Sequence, residues 1–231
     1  MINVIIPNDR ILFVKNPFDE NSQEYMCKGE YSFEKGNIYG IVSEYGEGGE
    51  SISRLLSGEI SLNEERILID GKSIKNISDY GWYVGKRIIS KGLVKRELTI
   101  RKSLNEAIHK YKYYGDISDI INRFHLSYDK IDYKFSNNSL WEMWRSSLAL
   151  GYVSEKKIFC FPWMNSLNFY ECMYNSGVFR LFKMLINEGN IIILPTSREE
   201  NVQNLADKIL KINNPRFQRV ISKTEYFIDN F

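Results

Sequence analysis

The residues best placed for chemistry lie in the stretch GIVSEYGEGGESISRLLSG, residues 40–58. A strand-like IYGIV enters a glycine-rich turn and an apolar, helix-like ISRLLSG leaves it, which is the rhythm of a phosphate-binding loop. Such a loop needs backbone N–H groups converging at a helix start, a lysine for the outer phosphates and a hydroxyl for Mg²⁺. Gly46 and Gly48 suit the turn, but Gly49 and Glu50 stand where the lysine and hydroxyl belong. Glu47 and Glu50 put carboxylates where a polyphosphate would lie. Two like charges about 4 Å apart repel by about 4 kcal/mol at an effective dielectric of about 20; a Mg²⁺ held by Glu50 would bridge some of that repulsion, but the lysine's charge stays missing.

The elements that must position this loop are legible around it. Residues 10–42 alternate short apolar runs (ILFV, YSF, IYGIV) with turn-like breaks, which predicts strands. SISRLLSG predicts a helix ending at Gly58, and EERILIDGKSI a strand, a D-G turn and a second strand. LTIRKSLNEAIHKYKYY and DISDIINRFHL carry apolar residues at helical spacing and predict an inserted helical lobe over about residues 87–140. Beyond it, SNNSLWEMWRSSLALGYVSEKKIFCFPW and VFRLFKMLINEGNIIILPTS each run from helix to continuous apolar strand. That alternation predicts a parallel sheet covered on both faces.

With 231 residues, 43% hydrophobic, 26% charged and a net charge of +2, the chain has the composition of an ordinary globular protein and no global field for nucleic acid. Its cysteines, Cys27, Cys160 and Cys172, lack metal-ligand spacing. A reducing compartment is expected. The start, MINVIIPNDRILFVKN, reads as a first strand without the features of a signal peptide, and no apolar run is long enough to span a bilayer.

The string IYGIVSEYGEGGESISRLLSGEI resembles the first nucleotide-binding segment of ATP-binding cassette (ABC) transporter subunits, and the resemblance continues over about residues 10–212. It implies one α/β domain over 1–231, with a P-loop NTPase-like (RecA-like) core built on a parallel sheet. An N-terminal antiparallel β subdomain and the helical subdomain at about 87–140 complete it. In that register Gly46 and Gly48 keep the loop's glycines, Ser43 replaces its first glycine, Gly49 stands at the lysine, and Glu50, followed by Ser51, stands at the metal-binding hydroxyl. GWYVGKR resembles the strand into the glutamine loop, with Lys86 at the glutamine. FSNNSLWEMWRSSLALGYV resembles the signature segment: Ser136 survives, Asn137 and Asn138 replace paired glycines, and Ser139 closes the motif. Pro162 and Trp163 stand at the aspartate and glutamate of the catalytic strand, Asn168 at the aspartate of the inter-subunit turn, and Ser197 at the switch histidine. Neither Pro162 nor Trp163 can accept a proton or bind a metal.

The resemblance therefore implies a pseudo-ATPase with no metal site and no cofactor. It would act as a structural or regulatory subunit on the inner face of the cell membrane, beside an integral-membrane permease and a second, competent ATP-binding subunit. Membrane contact would pass through the permease, with no nucleic-acid partner. The basic stretch KRIISKGLVKRELTIRK, residues 86–102, is either a solvated face or the surface that meets permease or headgroups. Two alternatives stand: an active subunit using ATP and Mg²⁺, with Glu50 as metal ligand and Lys86 as surrogate cation, or a soluble interaction module. His109 and His125 read as surface residues, Trp141 and Trp144 as helix packing, and Phe18 as a chance neighbour of an adenine-stacking position.

Overall fold

A computed structural model describes residues 1–16, 19–85 and 97–212. Phe18, Lys86 and most of the basic stretch, 86–96, lie outside the described residues. The chain opens with β1 (Ile2–Ile6), the hairpin strands β2 (Arg10–Asn16) and β3 (Asp19–Met26), then β4 (Gly29–Phe33) and β5 (Ile38–Val42). Helix α1 (Gly49–Ser57) follows the glycine loop and ends at Gly58, whose φ of 77° lets its N–H turn back onto the Arg54 and Leu55 carbonyls. Strands β6 (Arg66–Ile69) and β7 (Lys72–Ile74) flank the expected D-G turn, with Asp70 and Gly71 both at positive φ. After β8 (Gly81–Tyr83), the helical lobe carries α2 (Ile100–Tyr111) and α3 (Ile117–Arg123). The core resumes with α4 (Leu140–Val153), β9 (Ile158–Cys160), α5 (Ser166–Phe169), α6 (Phe182–Asn187), β10 (Ile191–Thr196), α7 (Glu199–Val202) and β11 (Lys208–Lys211).

The expected architecture is present. A five-stranded parallel sheet runs β11-β5-β10-β9-β8, and an antiparallel sheet runs β4-β1-β6-β7, with β2 and β3 paired as a separate ribbon. Alternate residues of the central strand serve two cores: Ile191 and Ile193 face the core shared by α1 and the antiparallel sheet, while Ile192 and Leu194 face the core under α4 and α6. Every residue of β10 is buried, which is why its sequence is apolar without alternation. Trp144 is fully buried on the inner face of α4, edge-on to Phe161 at 5.4 Å, whereas Trp141 is exposed. His109 and His125 are exposed, and Cys160 and Cys172 are buried free thiols.

Because β5, β9 and β10 are parallel, the segments leaving them gather at one edge of the sheet: the glycine loop, residues 161–163, and Ser197. Carboxyl ends of parallel strands are where α/β folds place ligands. The close approach of α1 to the sheet depends on Gly81, where an added Cβ would lie 2.0 Å from the Leu56 carbonyl oxygen. Gly81→Ala is expected to lower stability by about 1–3 kcal/mol through overpacking, read as a lower urea midpoint at unchanged denaturant slope.

Candidate functional site

The glycine loop folds as a phosphate cradle. Gly46 and Gly48 have φ of 79° and 119°, a region that glycine enters freely, and Gly48 caps α1 without a side-chain bond. A helix start of this kind leaves N–H groups without intrahelical partners. Here they converge on the carboxylate of Glu24, from β3: the Gly48 N–H donates to Glu24 Oε1 at 2.8 Å and the Ser51 N–H at 3.2 Å. The Glu50 N–H adds a third bond to the same carboxylate. Glu24 is 2% exposed.

The β3 backbone itself lies over the loop. The Tyr25 N–H donates to the Gly46 carbonyl at 2.7 Å, and Cβ atoms at Gly46 and Gly48 would meet the Gln23 and Tyr25 carbonyl oxygens at 2.9 and 3.0 Å. The loop's glycines are thus required by a strand of the same chain. Glu24 carries no motif signal; its one sequence mark is that it shares the inward parity of Met26 along β3, an acid in phase with a core position.

Glu50, read from the sequence as standing at the metal-binding hydroxyl, is 2% exposed and fully engaged. Its Oε1 accepts from Tyr83 Oη and from Arg54 Nε, both at 2.6 Å, and its Oε2 accepts from the Trp163 N–H at 2.6 Å. Arg54 also lies over the Tyr83 ring, 4.8 Å from its centroid. One carboxylate therefore joins α1, β8 and the turn after β9. The Glu50–Arg54 pair, four residues apart on a helix, was legible as a spacing; the Tyr83 and Trp163 contacts were not.

Gly49, read from the sequence as the lysine position, is crowded. A Cβ on Gly49 would meet Ser43 Oγ at 2.5 Å, Pro195 Cβ at 3.2 Å and Trp163 Cδ1 at 3.2 Å. Trp163 reaches across the loop, its Nε1–H donating to the Ser43 carbonyl at 3.0 Å and its ring meeting Tyr45 edge-on at 5.1 Å. Glu47 folds back on its own turn, accepting from the Glu44 N–H, while its Oε1 and Ser43 Oγ are buried without partners among the described residues.

The signature-like segment forms a 3₁₀ turn, Phe135–Asn137, ahead of α4. Ser136 does not cap α4: Ser139 holds the N-cap position, and its hydroxyl makes no capping bond. Ser136 instead donates from its N–H and its Oγ to the two oxygens of Glu97, at 2.7 and 2.6 Å, a second residue without a motif signal. Asn138 Nδ2 turns back onto the Lys134 carbonyl. Pro162 is buried after β9, Asn168 donates its N–H to Asn165 Oδ1, and the Ser197 N–H donates to the Met164 carbonyl. The structure thus brings Ser43, Gly46, Gly48, Gly49, Glu50, Ser51 and Trp163 into one packed unit.

Burial governs the titration of this unit. It raises Glu24 from 4.5 to about 7, the neighbouring Glu50 charge adds to the rise, and the three N–H bonds oppose it. Burial also raises Glu50, against the pull of Arg54 and the bonds from Tyr83 and Trp163. Cys27, beside them, is pushed up to about 11, first by burial and then by the carboxylates of Asp9, Glu47 and Glu24.

No family model matches the chain. It is 28% identical over 194 residues to the uncharacterized ABC transporter ATP-binding protein YybJ of Bacillus subtilis (strain 168), a match covering 81% of this chain and 85% of that one. Among solved structures, the ATP-binding cassette MJ0796, as a post-hydrolysis dimer bound to ADP and Pi, superposes with a TM-score of 0.65 at 14% identity. That match covers 92% of this chain and 94% of the other. CbiO1 from Clostridium perfringens, part of the ABC transporter complex cbiONQ, gives 0.62 at 14% identity over 92% and 84%. The fold is that of the ABC ATPases.

Two outcomes are expected from the buried carboxylates. Glu50→Ala strands the Arg54 charge and the Trp163 N–H and is expected to lower unfolding free energy by about 3–5 kcal/mol, measured by denaturant titration. Glu24 binds its proton more tightly in the folded state, so its contribution to stability falls as pH rises from about 4.5 to about 7. The span corresponds to about 3 kcal/mol. Glu24→Gln is expected to flatten that part of the stability profile, and an unchanged profile would refute the assignment.

Proposed function

We propose that the chain is an ATP-binding cassette subunit of a membrane transporter that does not itself hydrolyse ATP. One observation carries the proposal: Trp163, at the position of the catalytic glutamate, donates its N–H to Glu50 and packs its ring against the place a loop lysine would leave from. The cation, the metal ligand and the general base are thereby replaced by a tryptophan packed against a carboxylate whose two oxygens are already bonded. Phosphoryl transfer relies almost wholly on positioned charge, and in this reading none is left for it. The subunit would sit on the cytoplasmic face beside a permease and a competent ATP-binding partner, supplying structure and regulation. The likeness to YybJ and to CbiO1, a component of a transporter complex, supports that setting.

An active site using Glu50 as metal ligand would have to break its bonds to Arg54, Tyr83 and Trp163 first. Gly49→Lys with Glu50→Ser does not by itself reopen the loop, because the new side chain meets Ser43 and Trp163.

Calorimetric titration of the purified chain with ATP and Mg²⁺ is expected to give no binding heat up to about 1 mM, where affinity corresponds to only about −4 kcal/mol. In the reconstituted transporter, inactivating the partner's catalytic glutamate is expected to abolish all turnover. Micromolar ATP binding, or turnover by this chain alone, would overturn the proposal.

A further inference from the structure

We infer that Glu24 is the resident acceptor of the phosphate cradle: a carboxyl group of the same chain occupies the N–H groups that would otherwise hold a phosphate, keeping the loop in its ligand-holding shape without nucleotide. The inference deepens the proposed function at the same site and rests on that reading for its biological sense, although its geometry stands independently.

Three features point to it. The N–H groups of Gly48, Glu50 and Ser51 meet on one carboxylate that is 2% exposed, a convergence suited to an oxyanion. The strand that delivers it is fixed in place, since the Tyr25 N–H bonds the Gly46 carbonyl and the Gln23 and Tyr25 carbonyls pass within 3.0 Å of where Cβ atoms on Gly46 and Gly48 would stand. The Ser43 hydroxyl is buried in the same loop without a partner among the described residues, so the cradle holds a donor beyond those that Glu24 uses.

The chemical class that fits the vacated site is therefore a small oxyanion, carboxylate or inorganic phosphate. Glu50 on the loop is the charge that acts on Glu24 directly, and Cys27 beside β3 faces the carboxylates of Asp9, Glu47 and Glu24. The carboxylate charges among them select against highly charged polyphosphates, whereas Cys27, pushed up to about 11, stays a neutral thiol. The consequence for an assembled transporter is a cassette that holds its loop and α1 in place whether or not ATP is present, while its partner cycles.

The test is anion rescue of Glu24→Ala in the full chain, using inorganic phosphate as the probe and sodium chloride at matched ionic strength as the reference. Glu24→Ala is expected to melt below the natural chain in chloride and to gain about 2–4 °C or more in phosphate, as for a ligand that binds only the folded state. The natural chain and Glu24→Gln, whose amide oxygen keeps an acceptor in the cradle, are expected to show no rise beyond the general effect of an excluded salt. Should Glu24→Ala fail to fold in chloride, recovery of folded protein on refolding in phosphate supports the inference.

Equal phosphate responses in Glu24→Ala and the natural chain overturn the inference, as does a Glu24→Ala chain that phosphate cannot restore. A phosphate response in Glu24→Gln overturns it too, because charge and not occupancy would then have kept phosphate out. ATP turnover by the natural chain would sink the proposed function and leave these arms readable.

Discussion

A helix that begins inside a protein must find partners for its first N–H groups. Much of this structure follows from how α1 meets that requirement. In a nucleotide-binding protein the ligand supplies the acceptor; here β3 supplies it, as the Glu24 carboxylate. Placing β3 so close requires glycine at 46 and 48 for reasons of space as well as backbone angle. The same two glycines thus satisfy a loop that holds phosphate and a loop that holds its own strand, and their presence alone does not distinguish the two.

The second buried carboxylate organises what lies beneath. Glu50 joins Arg54, Tyr83 and the Trp163 N–H, so the helix, β8 and the turn after β9 share one ionic centre. Two buried acids beside each other repel, which is why Glu24 is raised to about 7 by burial and by Glu50 together. Each acid is surrounded by donors, and removing a donor or an acid leaves a buried group without its counterpart. A lysine at 49 would need space that Ser43 and Trp163 fill.

The signature-like segment repeats the arrangement on the helical lobe. Ser136 offers an N–H and a hydroxyl, the pair suited to a phosphate, and both go to Glu97. The glycine loop and the signature-like segment are each bonded to a carboxylate of the chain itself. Fold and site therefore separate cleanly: the layers, strand order and helix positions follow those of ABC ATPases, whereas the polar contacts of the loop are made within the chain.

The sequence by itself determined the architecture. Continuous apolar strands at 158–160 and 191–196 specified a sheet buried on both faces, the alternating runs before residue 42 specified strands, and the helical periods of 100–111 and 117–123 specified the lobe. It also singled out Gly49, Glu50, Pro162 and Trp163 for attention, because the resemblance that marks them depends on local order. Only the tertiary structure decided what fills the cradle. Glu24 lies 24 residues before Gly48 and Glu97 lies 39 before Ser136, and pairing them depends on how β3 crosses the loop and how the lobe folds over its own turn. Residue type and periodicity report which face a side chain is on; they carry no record of which distant donor it will meet there.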